Sequence, residues 1–426
     1  MLAVDEDRVV AGLRRLAEFG KFGTGVNRPA FSEDDLAARR WLVGEMQGAG
    51  LESAIDGIGN VYGRSPDVEH SILIGSHTDT VPCGGWLDGA LGVIFGLEVA
   101  RAARNAQFPI GIDVISFADE EGTWLALVGS RSFCGELAEQ VLAGVQAKNG
   151  ERLTDRLTQL GLRDRPLVRF DPRRHRAYLE AHIEQGPRLA AEAVDIGVVT
   201  GIVGMRRHVV RFRGRADHAG TTPMAMRRDA GFAMFSFATS LAERFRTAGG
   251  PDSVWNFGIV NVRPAAANVV PAEADLTVEF RDSAAATIER MEAAFLQAVK
   301  AADGVHDVAV SSAPKAALAP APMDRDLTEI IATAANESGA SHIRMPSGAG
   351  HDAMILARRI PTAMLFVPSI DGRSHDVSEN TSEADIRRGA RVFAAAAGMA
   401  IERLMKSDGL DARAAAESGR EQEKAS

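Results

Sequence analysis

Short apolar runs, separated by segments with helical periodicity, are the feature that most constrains how this 426-residue chain can fold. The runs are Ile72–Ile74, Val114–Phe117, Tyr178–Ile183 and Pro361–Val367. Runs this short between helices are typical of strands in a parallel sheet that helices cover on both faces. The pattern therefore predicts an α/β protein whose strands are mainly parallel.

Two helices are predicted before the first apolar run. Apolar residues recur at helical spacing from Val9 to Leu16. Ser32, with Asp35 three residues later, has the pattern of a helix N-cap, and Gly48 marks the end of that second helix.

The pattern changes from about Val209, where alternating residues predict a strand. The order strand–helix–strand–strand–helix–strand that follows is typical of a ferredoxin-like domain. Its elements are predicted at residues 209–213, 228–246, 253–262, 276–281, 285–301 and 306–311. Residues 316–322, rich in alanine and proline, are predicted to be a linker, after which helix, strand and terminal helix resume. The last 20 or so residues are polar and are predicted to be disordered.

Composition excludes several classes of protein. Apolar residues make up 46% of the chain, which is too many for a largely disordered protein. The 48 basic and 57 acidic residues give a net charge of −9, which disfavours nucleic acid or an anionic membrane as partner. Cys83 and Cys134 have no metal-like spacing, and Val392–Ile401 is too short to span a membrane. Because the first residues also lack a signal-peptide pattern, we expect a soluble, cytoplasmic protein.

A first group of candidate ligands directly follows the Ile72–Ile74 run. His77 and Asp79 are two residues apart, so in an extended chain they face the same side. A carboxylate there can accept the second ring N–H of a metal-bound histidine and fix its tautomer. Asp88 is a second candidate ligand. A glycine-rich turn with a capping aspartate explains the same residues equally well.

A second group is the sequence FADEEG, residues 117–122, at the end of the next run. Adjacent acids repel one another, a cost that cations remove. One of Glu120 and Glu121 can bind a metal while the other transfers protons. The alternative is a solvated acidic loop.

His182 and His375 also follow or lie within predicted strands, although a lone histidine there is more often a core residue. Together, histidines and carboxylates at the strand ends of one sheet are what a two-metal hydrolase needs. Neither a phosphate-binding glycine motif nor a serine nucleophile elbow is present, so nucleotide binding and serine catalysis are disfavoured.

These residues lie in motifs that resemble a known superfamily. The motifs, in family order, include GSHTDTVP, DGALGV, FADEEG, LEAHIEQGP, DHAGTTPM, NVVP, EFRD, SGAGHDA and FVPS followed by SH. In these the chain resembles the dinuclear-metal amidohydrolases of the aminoacylase and carboxypeptidase-G type. Within that superfamily it is most similar to the hydantoinase/carbamoylase branch, which includes N-carbamoyl-L-amino-acid hydrolases, β-ureidopropionases and allantoate amidohydrolases.

The resemblance implies two divalent metal ions per subunit, either zinc or manganese, cobalt or nickel. It implies one metal on His77, Asp88 and His182 and the other on Asp88, Glu121 and His375, with Asp88 bridging. Glu120 would be the general base, and Asp79 would orient His77.

The resemblance also implies a fold: a mixed-sheet α/β catalytic domain interrupted by an α+β ferredoxin-like domain for lid closure and homodimerisation. The catalytic domain would comprise residues 1–207 and 321–406, the lid residues 208–320, and a disordered tail residues 407–426.

Substrate-binding residues are implied on both domains: Gln185, His218, Asn268, Arg281 and Gly350, with His218 also acting on the oxyanion in the partner subunit. An ion pair with Glu279 or Asp282 is the alternative for Arg281. For His351, next to Gly350, a structural hydrogen bond is as plausible as a direct role.

Some positions depart from the branch. Only six residues separate Gly122 from Gly129, Trp86 precedes Asp88 by two residues, and Asp-Val-Ser-Glu follows His375. The leading hypothesis is hydrolysis of an N-carbamoyl-L-amino acid. Allantoate, another ureido acid, an N-acyl amino acid or a dipeptide is the alternative substrate. A non-catalytic binding protein is disfavoured because it would not need Glu120.

Overall fold

The computed structural model describes residues 2–147 and 149–407. The helices are α1 (Glu6–Ala17), α2 (Glu33–Gly48), α3 (Ala90–Asn105), α4 (Val128–Phe133), α5 (Glu139–Gly144), α6 (Leu153–Gln159), α7 (Arg188–Glu192), α8 (Ala230–Ala248), α9 (Ala285–Ala302), α10 (Arg325–Glu337), α11 (Ala353–Leu356) and α12 (Glu383–Ser407). The strands are β1 (Lys21–Phe22), β2 (Gly25–Val26), β3 (Glu52–Ile55), β4 (Val61–Arg64), β5 (His70–His77), β6 (Ile110–Phe117), β7 (His175–Ile183), β8 (Ile196–Ile202), β9 (Gly204–Arg213), β10 (Val254–Arg263), β11 (Glu273–Asp282), β12 (Ala309–Leu318), β13 (Ala321–Pro322), β14 (His342–Ser347) and β15 (Thr362–Val367).

The chain divides into two compact units. The first contains the residues up to Thr200, Met323–Met345 and the residues from His351 onward, and the second contains Gly201–Pro322 and Pro346–Gly350. The catalytic and lid roles given to residues 1–207, 208–320 and 321–406 remain predictions. Of the predicted tail, residues 408–426 lie outside the described residues, and Ser407 is the last residue of α12.

A mixed sheet organises the first unit, with neighbouring strands in the order β8-β15-β7-β5-β6-β4-β3 and β14 paired with β8. Strand β5 is parallel to β6 and β7, and β15 is parallel to β7, whereas β8 is antiparallel to β15 and β4 is antiparallel to β6. Every residue of β6 is buried, as expected of a strand that is covered on both faces. Helices α3 and α12 pack against the central strands. The predicted α/β sheet is therefore confirmed.

The first helices begin and end close to where the sequence predicts. The hydroxyl of Ser32 accepts a hydrogen bond from the Asp35 N–H at 3.2 Å, which satisfies one of the free donors at the start of α2. Helix α2 ends at Gly48, and α1 buries Val9, Leu13 and Leu16 on one face.

The second unit contains a four-stranded antiparallel sheet in the order β10-β11-β9-β12. Helices α8 and α9 pack against it and against each other, with an apolar core that includes Phe212, Phe237, Phe280 and Phe295. The predicted ferredoxin-like order is confirmed. The predicted linker is wrong: β12 continues to Leu318 because its backbone remains paired with β9, and β13 then pairs with the last residues of β8.

Among the described residues, no helix is both long enough and apolar enough to cross a membrane. Both cysteines are free; Cys83 is exposed and Cys134 is buried.

Candidate metal centre and active site

Parallel pairing brings the predicted ligands to one edge of the sheet. His77 is the last residue of β5 and is paired with Phe117, the last residue of β6, which Glu120 and Glu121 follow closely. His182 is the penultimate residue of β7 and is paired with β15, which leads into the segment that carries His375. The carboxyl ends of parallel strands are where α/β proteins place their ligand sites.

Asp88 lies at the centre of this group, in the loop just before α3. Its Oδ1 atom is 3.4 Å from Nε2 of His77 and 3.1 Å from Nε2 of His182. Its Oδ2 atom is 3.4 Å from Nε2 of His375, which is itself 3.5 Å from Oε1 of Glu121. These atoms form two groups, each within 4.8 Å, that share only Asp88. The two oxygens of one carboxylate therefore face two separate sets of donors.

The ring nitrogens of both buried histidines are arranged as metal binding requires. Nδ1 of His77 is 2.9 Å from the carbonyl oxygen of Asp79, and Nδ1 of His182 is 2.9 Å from that of Ile183. These carbonyls place the proton of a neutral ring on Nδ1 and the lone pair on Nε2. The Gly89 N–H, 3.1 Å from Nε2 of His182, points to the same tautomer.

The donor set fits divalent metals. Oε1 of Glu121 is buried and has no hydrogen-bond partner among the described residues. A buried carboxylate oxygen without a partner is costly unless something absent from the chain satisfies it. Imidazole nitrogens combined with carboxylate oxygens suit zinc, cobalt, nickel or manganese. The residues that would hold such ions are the five predicted ones: His77, Asp88, Glu121, His182 and His375.

The prediction for Asp79 needs correction, because its backbone rather than its carboxylate contacts His77. Strand β5 ends at His77, and the chain then turns so that the Asp79 carbonyl meets the ring. The buried carboxylate accepts the Glu121 N–H at 3.4 Å and lies 4.0 Å from Nη2 of Arg39. Asp79 thus contacts one ligand through its carbonyl and the backbone of another through its side chain.

Carboxylates dominate the electrostatics of the site. Burial acts against the charged form of Asp88, but contacts with His182, His375 and His77 hold its pKa well below the usual value. Burial raises the pKa of Glu120 well above normal, His77 opposes this, and other carboxylates add to it. Burial and the Asp88 charge raise the pKa of Glu121 to about 7. Bound cations would favour the ionised form of each of these groups.

Glu120 has a position suited to a general base. Its Oε2 atom is 3.7 Å from Nε2 of His77, and its side chain is 11% exposed. It belongs to neither group of candidate ligands. A carboxylate beside a metal centre that does not itself bind the metal is free to move protons.

Gln185, for which a substrate contact is predicted, reaches into the same centre. Its Nε2 atom donates to Oδ2 of Asp88 at 2.7 Å and lies 3.3 Å from Nε2 of His375. Its Oε1 atom is buried and, among the described residues, has no hydrogen-bond partner. The ring of His351 packs against that of His182 at a centroid distance of 4.5 Å. His351 therefore contacts a candidate ligand but belongs to neither group of candidate ligands.

Sequence reasoning missed two buried carboxylates near the centre. Glu379 accepts the backbone N–H groups of Leu87 and Asp88. Asp352 is fully buried, and burial together with the charge of Glu180 raises its pKa to about 8. Asp352 directly follows His351, and Glu379 lies four residues after His375, so both belong to motifs that the sequence singles out. The motifs do not reveal what these side chains contact.

Four predicted substrate residues, His218, Asn268, Arg281 and Gly350, lie in the second unit. Nδ1 of His218 accepts the N–H groups of Gly220 and Thr221 at 3.0 and 3.2 Å, which leaves its Nε2 as the proton donor on an exposed side chain. The Asn268 carbonyl accepts the Ala219 N–H at 2.9 Å, so Asn268 lies beside the His218 loop.

Arg281 makes the ion pair that is the alternative to a substrate role. Its Nε and Nη2 atoms lie 2.8 and 2.7 Å from Oε1 of Glu279, and its Nη1 donates to the Gly348 carbonyl at 2.7 Å. These partners occupy all three guanidinium nitrogens, through which Arg281 would have to bind a substrate carboxylate. Gly350 is exposed, two residues beyond Gly348.

The fold and the donor set together define a hydrolase with a metal centre at the carboxyl edge of a mixed α/β sheet. Residues 73–398 match the model of peptidase family M20/M25/M40. The chain belongs to this family, whose enzymes are typically dinuclear metal enzymes.

Relatives within the family narrow the activity. The chain is 33% identical over 399 residues to an N-carbamoyl-L-amino-acid amidohydrolase of Paenarthrobacter aurescens, covering 91% of this chain and 96% of the relative. It is 33% identical to an allantoate amidohydrolase of Escherichia coli K12, covering 87% and 92%. A crystal structure of a hydantoinase/carbamoylase family amidase from Burkholderia phymatum has a TM-score of 0.90 at 44% identity, covering 95% and 99%. The chain is accordingly a metal-dependent amidohydrolase of the hydantoinase/carbamoylase branch that acts on linear amides.

Proposed function

We propose that this enzyme hydrolyses an N-carbamoyl-L-amino acid to the free amino acid, ammonia and carbon dioxide. The observation that carries the proposal is the pair of donor groups sharing Asp88, with Glu120 and Gln185 beside them. By their names, the two relatives described above act on an N-carbamoyl-L-amino acid and on allantoate.

Each side chain of the centre has a separate task in this reaction. His77, Asp88, Glu121, His182 and His375 would hold divalent ions, which when bound would supply a nucleophile from water at neutral pH and polarise the ureido carbonyl. Glu120 takes the proton of the attacking water and passes it to the departing nitrogen. One C–N bond breaks as that nitrogen leaves with the proton, and the carbamic acid that remains decomposes to carbon dioxide and the second amine, so that one water yields amino acid, ammonia and carbon dioxide.

Gln185 favours a ureido substrate over an N-acyl one. Because its Nε2 faces the Asp88 carboxylate, its buried Oε1 points away with no partner among the described residues. The terminal NH₂ of a carbamoyl group is a donor that would satisfy Oε1, whereas the methyl group of an acetyl amide is not. A site built to bind an N–H rejects an analogue that lacks it.

We assign substrate contacts in the second unit to His218, Asn268, Arg281 and Gly350. The Nε2–H of His218 would donate to the developing oxyanion. Arg281, with Asn268, would bind the substrate α-carboxylate after exchanging its Glu279 or Gly348 partner, and the Gly350 backbone N–H would line the pocket.

A substrate panel tests the proposal. Chelator-treated protein reloaded separately with zinc, manganese, cobalt or nickel is assayed with N-carbamoyl-L-amino acids, their D enantiomers, allantoate, an N-acetyl amino acid and a dipeptide. We expect metal-dependent ammonia release, fastest from the N-carbamoyl-L series. A higher kcat/KM for allantoate, the N-acetyl amino acid or the dipeptide would show that the same centre serves the alternative substrate.

A homodimer formed through the second unit is the proposed assembly. Strand β10 is at the edge of its sheet and exposes Val254, Ile259 and Val260, and α8 exposes Phe232 and Phe235. Exposed apolar side chains along a strand edge are typical of a surface that another chain covers.

Two measurements test this assembly. Light scattering should give twice the monomer mass, and Ile259→Lys should reduce it; a monomeric wild type contradicts the dimer. Mixing inactive His218→Ala with inactive Glu120→Gln should restore some activity if His218 acts in the partner. Verified mixed dimers without activity would restrict His218 to its own subunit.

A further inference from the structure

Glu379 connects the two loops that carry Asp88 and His375. Its Oε1 atom accepts the backbone N–H groups of Leu87 at 3.1 Å and Asp88 at 3.0 Å. Its Oε2 atom accepts the hydroxyl of Ser374 at 2.9 Å, in the residue before His375. The side chain is 1% exposed. One buried carboxylate, 291 residues from Asp88 in the chain, therefore connects the two ligand segments.

The Asp88 loop is shaped around this carboxylate. A Cβ atom at Gly85 would lie 1.9 Å from Cδ of Glu379, closer than any side chain tolerates. Only glycine at this position lets the loop backbone approach the carboxylate closely enough to donate two hydrogen bonds.

Ser374 lies between two carboxylates and has one proton to give. Its Oγ atom is 2.9 Å from Oε2 of Glu379 and 3.0 Å from Oδ2 of Asp88. A hydroxyl donates a single hydrogen bond, so donation to Glu379 leaves the Asp88 oxygen without that proton. Oδ2 is the oxygen that faces His375 and the second donor group.

We propose that Glu379 is a positioning residue of the metal centre, which fixes the backbone of the bridging Asp88 and takes the Ser374 proton away from Asp88. Oδ2 of Asp88, which also accepts the Gln185 amide at 2.7 Å, then keeps its remaining lone pair for a cation. Partners behind metal ligands commonly contribute 10–100-fold in metal affinity. The inference rests on the metal centre of the proposed function but not on its substrate.

Metal affinity of the stripped protein tests the proposal without any substrate. Zinc and cobalt are titrated against a competing chromophoric chelator, and the visible absorption of the cobalt form reports ligand geometry. We expect Glu379→Ala to weaken binding about 10–100-fold and to change the cobalt spectrum. Glu383→Ala, the same change on an exposed α12 glutamate, is the matched control and should bind like the wild type.

Glu379→Gln gives the sharper result. Its amide NH₂ would donate to Ser374 and turn the hydroxyl proton toward Asp88, weakening metal binding. Removing that hydroxyl in Glu379→Gln/Ser374→Ala should then restore part of the affinity. A side chain that only stabilises the fold gives no such recovery.

Several outcomes would overturn the proposal. Wild-type affinity and cobalt spectrum in Glu379→Gln would do so, as would lower thermal stability with unchanged metal affinity. A double variant that binds no more tightly than Glu379→Gln would reject the assignment of the Ser374 proton. If Glu379→Ala does not fold, Glu379→Gln decides, since it keeps the side-chain volume. A wild type that binds both metals but hydrolyses no substrate counts only against the proposed function.

Discussion

Buried polar side chains lie towards both ends of strands β5, β6 and β7. The two groups differ in whether arginine side chains form ion pairs with their carboxylates. Towards the amino ends, Asp113 accepts hydrogen bonds from Tyr62 at 2.6 Å, Ser71 at 2.9 Å, and Nε and Nη2 of Arg174 at 2.7 and 2.9 Å. At the carboxyl ends, no described arginine or lysine forms an ion pair with Asp88, Glu120 or Glu121; their ion-pair contacts are histidines.

The residue types at the two ends are nearly the same, so type alone does not distinguish structure from function. His175 and Asp113 at one end resemble His182 and Asp88 at the other. Burial opposes the charge of Asp113, but His175, Arg174 and Tyr62 hold its pKa well below the usual value. Burial instead raises the pKa of Glu121 to about 7. A paired buried charge belongs to the fold, whereas an unpaired one indicates a missing ligand.

The largest expected difference between the two ends is in turnover. Glu120→Gln should lower kcat about 10²–10⁴-fold, because proton transfer is lost, while both metals remain bound. Asp113→Asn is the matched change at the opposite end and should leave kcat near the wild-type value. Steady-state kinetics and metal analysis measure both. Normal kcat in Glu120→Gln, or loss of kcat in folded Asp113→Asn, would contradict the assignment of catalysis to one end of the strands and of a structural role to the other.

Stability should respond in the opposite way. Asp113→Asn leaves Arg174 buried without its charge partner and should lower the free energy of unfolding by about 3–5 kcal/mol. Glu121→Gln removes a carboxylate whose buried Oε1 accepts no hydrogen bond from the described residues, and should leave the metal-free protein as stable or more stable. Urea unfolding of the stripped proteins measures both; a destabilised Glu121→Gln would mean that its carboxylate already has a structural role.

Metal addition should stabilise the wild type by about 2.7 kcal/mol for each bound ion when free metal exceeds the Kd of that site 100-fold. Asp113→Asn should gain the same amount, because its end of the sheet binds no cation. Glu121→Gln should gain less, since one donor of the second group is gone. Thermal unfolding with and without zinc separates these cases. Equal gains in all three proteins would argue against the assigned ligands.

The smallest effect concerns acid. The folded-state pKa of Asp113 is lowered, so the stability it contributes is fully present above the unfolded pKa of about 3.9 and is lost as the pH falls below that value. Asp113→Asn should therefore be less stable than the control Glu383→Gln above a pH of about 4. The difference in stability should shrink below that pH, where the control loses the contribution of Asp113. Urea midpoints measured from pH 3 to 7 test this; a gap between the two variants that persists undiminished to the lowest pH contradicts the assigned ion pair.

The sequence predicts which candidate ligands come close together, because their placement follows from a simple geometry. His77, Glu121 and His182 are close together since parallel strands end at a common edge, and strand runs are visible in the sequence. Finer contacts are not predictable in this way. The spacing of His77 and Asp79 cannot tell a backbone carbonyl from a carboxylate as the acceptor.

Other features depend on contacts between distant parts of the chain. Glu379 acts on Asp88 across 291 residues, so its neighbours in the sequence give no sign of what its carboxylate accepts. The alanine- and proline-rich residues 316–322 resemble a linker, but β12 continues because β9 supplies its backbone partners. Local composition describes the segment, and the neighbouring strand decides its structure.

The division of Asp88 between two unlike donor groups has a consequence for which ions the protein holds. One oxygen faces two imidazoles, and the other faces one imidazole and the Glu121 carboxylate. Imidazole-rich positions select ions such as zinc or nickel, and carboxylate-rich positions accept manganese more readily. The two positions are therefore chemically unequal, and each would favour a different range of divalent ions.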